Sequence, residues 1–116
     1  MKARLPKGMG GGPQNMDAMM RKVQQFQTER EALASDLEAR EYEVAAGGGA
    51  VRIKINGTRR IEEINIDPEI IDPDDAETLQ DILVAGVNEA IGRVEDEAAS
   101  EMSALAEKYG IPEGAF

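Results

Sequence analysis

The feature that most constrains this chain is an apolar stripe too long for any compact core that 116 residues could build. Leu79, Ile82, Leu83, Val87, Ala90, Ile91, Val94, Ala98, Met102, Leu105 and Tyr109 follow one another at helical spacing, which keeps a single helix face apolar throughout. Asp72 is placed as an N-cap and Pro73 as the first helical residue, while Gly110 and Pro112 form a stop. The helix reads from Pro73 to Tyr109, about 37 residues, and at about 1.5 Å per residue it is about 55 Å long. A compact chain of this size has a radius of gyration of only about 13 Å, so part of the helix must project.

A second, narrower stripe precedes it. Met16, Met19, Val23, Phe26, Leu33 and Leu37 alternate spacings of three and four, with Arg30 as the one polar member. They predict a helix from about Asn15 to Ala39, with Asn15 as N-cap and Asp17 in the first turn. The two thin stripes suit one another, and the acidic end of the later helix faces a partner carrying Arg21, Lys22, Arg30 and Arg40. Arg30 is expected to pair with an acidic residue of that helix. Between the helices, Tyr42, Val44 and Ala46 alternate with polar or small residues, then Gly47 to Gly49 break the chain. Val51, Ile53 and Ile55 alternate again, and Asn56-Gly57 predicts a hairpin with positive φ at both turn residues. The return strand reaches Ile66 but changes parity between Ile61 and Ile64, which predicts a bulge near Glu62 or Glu63. The fold class is α+β: helix, three-stranded antiparallel sheet, long helix.

Composition sharpens both structure and function. Ile, Val, Leu and Phe supply 24 residues and there are four aromatic rings, a small private core that points to an obligate oligomer. With neither histidine nor cysteine, imidazole bases, Cys-His nucleophiles, thiolate metal sites and disulfides are excluded. The adjacent carboxylates Glu62-Glu63, Asp74-Asp75 and Glu95-Asp96-Glu97 read as solvated faces, since neighbours in sequence on a helix do not face each other. The acidic run Asp67 to Asp75 lacks the glycine and terminal glutamate of a calcium loop. The glycine runs at 10–12 and 47–49 lack the Gly-Lys-Ser/Thr of a phosphate loop. No cofactor is expected, and the chain reads as non-enzymatic. Lys2, Arg4 and Lys7 precede a glycine-rich stretch rather than an apolar run, so neither a secretory signal nor a membrane span is expected, and a cytoplasmic location is.

Charge is segregated. Residues 1–60 hold 11 basic and 7 acidic side chains, net +4, whereas residues 61–116 hold 2 basic and 16 acidic, net −14. Residues 1–14 read as a basic arm that cannot bury enough apolar surface to offset chain entropy. Lys2, Arg4, Lys7, Arg21 and Lys22 lie in or near it, and Arg52, Lys54, Arg59 and Arg60 flank the hairpin with no acid from Ala50 to Arg60. On chemistry alone these positions suit nucleic-acid contact, solubilisation or intramolecular pairing.

The stretch VRIKINGTRRIEEINIDPEIIDPDDAETLQDILVAGVNEAI adds a family resemblance. Gly48-Gly49, Ile55-Asn56-Gly57, Ile64-Asn65-Ile66-Asp67-Pro68, Asp72 to Asp75 with Glu77, Leu79 to Leu83 and Val87-Asn88-Glu89-Ala90 together resemble the YbaB/EbfC family of bacterial nucleoid-associated proteins. The likeness covers essentially the whole chain, including the Met/Gln-rich first helix and the tail from Ile111-Pro112 to Phe116. It implies a domain over 15–110 with a short tail at 111–116, a homodimer joined through sheet and second helix with projecting helical arms, and a cytoplasmic, nucleoid-associated location. It also implies double-stranded DNA as the partner, with a role in chromosome organisation and gene regulation. Ile53, Ile55, Ile64, Leu79, Ile82, Leu83 and Val87 are then the dimer-interface candidates. Lys2, Arg4, Lys7, Arg21 and Lys22 are the leading phosphate contacts, with Arg52, Lys54 and Arg60 as a secondary surface. The alternative is an adaptor whose acidic helix binds DNA-processing proteins, with little direct DNA affinity.

Overall fold

The computed structural model describes residues 12–111. Helix α1 spans Gly12–Ala39, followed by strands β1 (Glu41–Ala46), β2 (Val51–Asn56) and β3 (Ile61–Ile66), and by helix α2 (Ala76–Lys108). Single 3-10 turns occupy Gly47–Gly49, Pro68–Ile70 and Pro73–Asp75. The strands form an antiparallel meander in the order β1-β2-β3. Both helices start elsewhere than the sequence suggests. Asn15 lies inside α1 rather than capping it, and with the start at Gly12 no acidic residue falls in the first turn. Asp72 does act as a cap, accepting from the Asp74 N–H at 2.9 Å, but it caps the 3-10 turn. The long helix is capped by Asp75, which accepts from the Thr78 N–H at 3.4 Å and from its hydroxyl at 2.7 Å. With Asp67 accepting from the Glu69 N–H, three aspartates of the acidic run serve as local caps.

The core lies between one sheet face and α2. Val51, Ile53 and Ile55 are fully buried, with Tyr42 and Val44 beside them and Ala90 and Val94 above. Gly86 allows the close crossing, because a Cβ there would meet Ile53 Cδ1 at 2.7 Å. The bulge is present. Lys54 pairs with Glu63 and Ile55 with Ile61, leaving Glu62 as the extra residue, so Ile61, Ile64 and Ile66 all oppose inward-facing residues of β2. Their burial is incomplete because α2 lies over β1 and β2 and leaves β3 at the rim. Ile64 is 40% exposed, Ile71 53% and Val84 60%. Val84 borders one groove of α2 with the half-buried Leu83 and Val87, so apolar side chains stay uncovered on α2, on β3 and in the segment after it.

The hairpin turn differs from the expected pair of positive-φ residues. Its loop runs from Gly57 to Arg60, and the residue with positive φ is Arg59, at 67°. Asn56 organises the loop, its Oδ1 accepting from the Thr58 N–H at 2.9 Å and the Arg60 N–H at 3.1 Å. Gly57 is required for another reason. A Cβ there would lie 1.7 Å from the Leu37 carbonyl oxygen, and the Gly57 N–H donates to the Arg40 carbonyl at 2.9 Å. The turn is therefore built against the end of α1.

The molecule is long. Its radius of gyration is 23.8 Å and its extents are 91 × 21 × 16 Å, as the overlong stripe demands. Beyond the sheet, the C-terminal half of α2 runs against α1.

Candidate nucleic-acid interface

The arm is held by a polar joint at each end of the helix pair. At the sheet end, the Arg40 guanidinium reaches Asp36 at 2.6 Å, Glu97 at 3.5 Å and Glu101 through both of its amino nitrogens. This fork matches carboxylate geometry. It holds the Glu101 carboxyl below the ordinary range and raises the guanidinium's own proton affinity. At the far end, Lys108 Nζ binds Glu29 at 2.8 Å and the Tyr109 hydroxyl donates to the same carboxylate. The hydrogen bonds from Lys108 and Tyr109 lower Glu29, while Lys108 and Tyr109 are both raised by it. Phe26 and Tyr109 meet edge to face, ring centres 5.7 Å apart.

Opposite charge on the facing helix surfaces is readable from the sequence, but the partner residues are not all legible there. Arg30 is exposed on α1, and the adjacent Glu29 binds Lys108 and Tyr109 at the end of α2. The signal that could have found this joint is Tyr109, which ends the long stripe beside a basic residue and so places an aromatic anchor with a cation opposite Phe26.

Beyond Tyr109, α1 continues without a packed neighbour among the described residues. Arg21 and Lys22 are exposed on this projecting half, and neither forms an ion pair among the described residues. Arg21 borders an open groove of about 620 Å³ with Gln24, Gln25, Thr28, Glu29 and Tyr109. Amides, a hydroxyl and a guanidinium are groups that contact phosphate and sugar oxygens, and the one carboxylate there is already engaged by Lys108 and Tyr109. Lys2, Arg4 and Lys7 lie outside the described residues.

The sheet offers a different electrostatic surface. On its solvent face Arg52 pairs with Glu43 at 3.2 Å. Lys54 sits in register between Glu43 and Glu63, close enough for cross-strand attraction. Glu41 and Glu62 approach one another there, and a hydrogen bond with Glu62 plus its repulsion push the Glu41 carboxyl up. Four carboxylates thus accompany two cations on this face. Arg59 is bound to Glu95 at 3.3 Å, Arg93 lies 5.6 Å over the Tyr42 ring, and Arg60 is exposed at the hairpin.

Of the interface candidates, Ile53 and Ile55 are fully buried within the single chain and have no surface to offer a partner. Leu79, Ile82, Leu83 and Val87 are half-buried and Ile64 is exposed. No helix among the described residues is long and apolar enough to cross a membrane.

Comparison with known proteins adds the family context. The YbaB/EbfC DNA-binding family profile matches residues 11–109. A nucleoid-associated protein of Clostridium botulinum is 43% identical over 115 residues, covering 99% of this chain and 98% of that protein. One from Alkaliphilus oremlandii is 46% identical over 105 residues, 90% of each chain. The crystal structure of an uncharacterized protein from Helicobacter pylori shares the fold with a TM-score of 0.50 at 23% identity, over 71% of this chain and 87% of that one.

Proposed function

The chain belongs to the YbaB/EbfC DNA-binding family, and from that premise we propose a homodimer that binds double-stranded DNA through phosphate contacts of its projecting helical arms. One observation carries this reading. Arg21 and Lys22 stand exposed and without ion-pair partners among the described residues, whereas the sheet cations stand among carboxylates. Lys2, Arg4 and Lys7 extend the same charge, since residues 1–22 carry five basic side chains and one acidic. Arg52, Lys54 and Arg60 form the secondary surface. Such binding is insensitive to sequence and suits chromosome organisation, with effects on gene regulation following from occupancy rather than base readout. The protein acts within the cytoplasm at the nucleoid, with no catalytic step.

Within the dimer, the side chains of Ile64, Ile71, Leu83, Val84 and Val87 supply the joining surface, with Leu79 and Ile82. The folding unit is 15–110, preceded by the basic arm 1–14 and followed by the tail 111–116. A gel-shift titration with unrelated duplexes at low salt tests the reading. Retardation that weakens steeply as salt rises supports it. No retardation at low salt would instead favour an adaptor whose acidic α2 docks on basic DNA-processing proteins.

A further inference from the structure

The Asn56-Gly57 pair carries a chemistry of its own. An asparagine followed by glycine readily loses its side-chain amide, because the next backbone nitrogen attacks Asn Cγ and a glycine, lacking a Cβ, lets it approach unhindered. Of the chain's asparagines, Asn15, Asn65 and Asn88 precede Met16, Ile66 and Glu89, and Asn56 alone precedes a glycine.

The fold acts on this pair in two opposed ways. The Asn56 carbonyl oxygen is surrounded by donors: Oδ1 accepts from the Thr58 N–H at 2.9 Å, the Thr58 hydroxyl at 2.6 Å and the Arg60 N–H at 3.1 Å. Donors aimed at a carbonyl oxygen stabilise the negative charge that builds there when its carbon is attacked. The nucleophile, by contrast, is held back. The Gly57 N–H donates to the Arg40 carbonyl at 2.9 Å, and the Leu37 carbonyl oxygen closes the space beside the Gly57 Cα. Gly57 therefore cannot turn its nitrogen toward Asn56 while the end of α1 is in place. That end is itself fastened to α2 by the Arg40 guanidinium on Glu101.

We propose that Asn56 is a self-modification site, with the Gly57 nitrogen as nucleophile, water as co-reactant and the docked end of α1 as the latch. When α1 lifts, solvent hydroxide takes the Gly57 amide proton and the nitrogen bonds to Asn56 Cγ. The bond from Cγ to Nδ2 then breaks, and the amide nitrogen leaves as ammonia with a proton from water. Water opens either carbonyl of the resulting cyclic imide, giving aspartate or, where the chain is rerouted through the side chain, isoaspartate. Either product places a carboxylate at position 56, beside Glu62, to which the Asn56 amide donates at 3.4 Å, and opposite Glu41. Like charges facing across strands are destabilising. Isoaspartate also adds a methylene to the backbone ahead of Gly57 and shifts that residue from its seat against Leu37. The change runs one way and loosens the root of the helix that carries Arg21 and Lys22.

Peptide mapping by mass spectrometry, with aspartate and isoaspartate separated by chromatography, follows residue 56 in the full-length protein held in mildly alkaline buffer. The folded wild type should convert about tenfold or more slowly than the chain in denaturant, the factor that one backbone hydrogen bond allows. Arg40→Ala and Leu37→Ala, each shown to be folded by circular dichroism, loosen the end of α1. Both should raise Gly57 N–H exchange and Asn56 conversion in proportion. Urea below the unfolding transition loosens the same end without a substitution and should give the same proportionality. Equal rates in folded and denatured wild type overturn the proposal. Conversion that stays at the wild-type rate in both variants and in urea, whether or not Gly57 exchange rises, overturns it as well. In the Arg40→Ala background, Thr58→Val removes one donor from Oδ1 and should slow conversion by roughly twofold to tenfold, and an unchanged or faster rate contradicts the role of the donors.

Discussion

Gly57 is the residue on which two segments distant in sequence depend. Its missing Cβ makes room for the Leu37 carbonyl, and because the obstruction is backbone, no rotamer change relieves it. Gly57→Ala should therefore cost about 3 kcal/mol or more, the upper range for overpacked sites, read as a lowered urea midpoint at unchanged slope. A loss below about 1 kcal/mol would mean that α1 and the hairpin separate easily. Arg59 stores the opposite kind of strain. A non-glycine residue at φ 67° carries about 1–2 kcal/mol, and its exposed ion pair to Glu95 returns about 0–1. Replacing it with glycine should be neutral or stabilise by up to about 1 kcal/mol, measured in the same titration. The Asn56-Gly57 pair correctly marks a hairpin, yet its geometry departs from the expected turn because the demand on Gly57 comes from Leu37, which no local pattern encodes.

At the level of elements, the helix pair is a charged joint with a defined pH window. Glu29 and Glu101 are lowered from 4.5 by their bonds to Lys108 with Tyr109 and to Arg40. They therefore contribute stability above the unfolded carboxylate range, which is lost as pH falls through their depressed values. Lys108 and Tyr109 are raised from 10.5 and 10.0, so their contribution is complete below those values and disappears as pH rises through the raised ones. The joint is strongest across the neutral range. Carboxyl chemical-shift titration should give Glu29 and Glu101 midpoints below 4.5, and Lys108→Ala should move the Glu29 midpoint upward. An unmoved midpoint would show that Lys108 does not hold the arm in solution. Both stripes, the alternation in β2 and the bulge in β3 are legible in the sequence because each is a local period. What is not legible is the length of overlap: Met19 and Phe26 belong to one seam, but only the position where α2 stops leaves the first exposed and the second buried.

For the whole molecule, the 91 Å length and segregated charge underlie the proposed pairing of copies and their proposed contact with DNA. The uncovered apolar side chains on β3 and α2 predict a particle of about twice 12.5 kDa in sedimentation at micromolar concentration. Val84→Asp, at a 60% exposed position, should yield a smaller, less stable species, whereas an undisturbed dimer would relocate the interface. The same elongated shape sets Arg21 and Lys22 apart from the carboxylates around the sheet cations, which is why the proposed reading assigns them to phosphate. The most direct test compares Arg21→Ala with Lys22→Ala against Arg52→Ala with Lys54→Ala, each double variant first matched to wild type in melting and oligomeric state. Affinity for unrelated duplexes is then measured over a range of salt. The first pair should weaken binding and flatten the logarithmic salt dependence by about one unit for each phosphate no longer neutralised, while the second has a smaller effect on both. Wild-type affinity and slope in the first pair, with both reduced in the second, would place the DNA-binding surface on the sheet and contradict the arm.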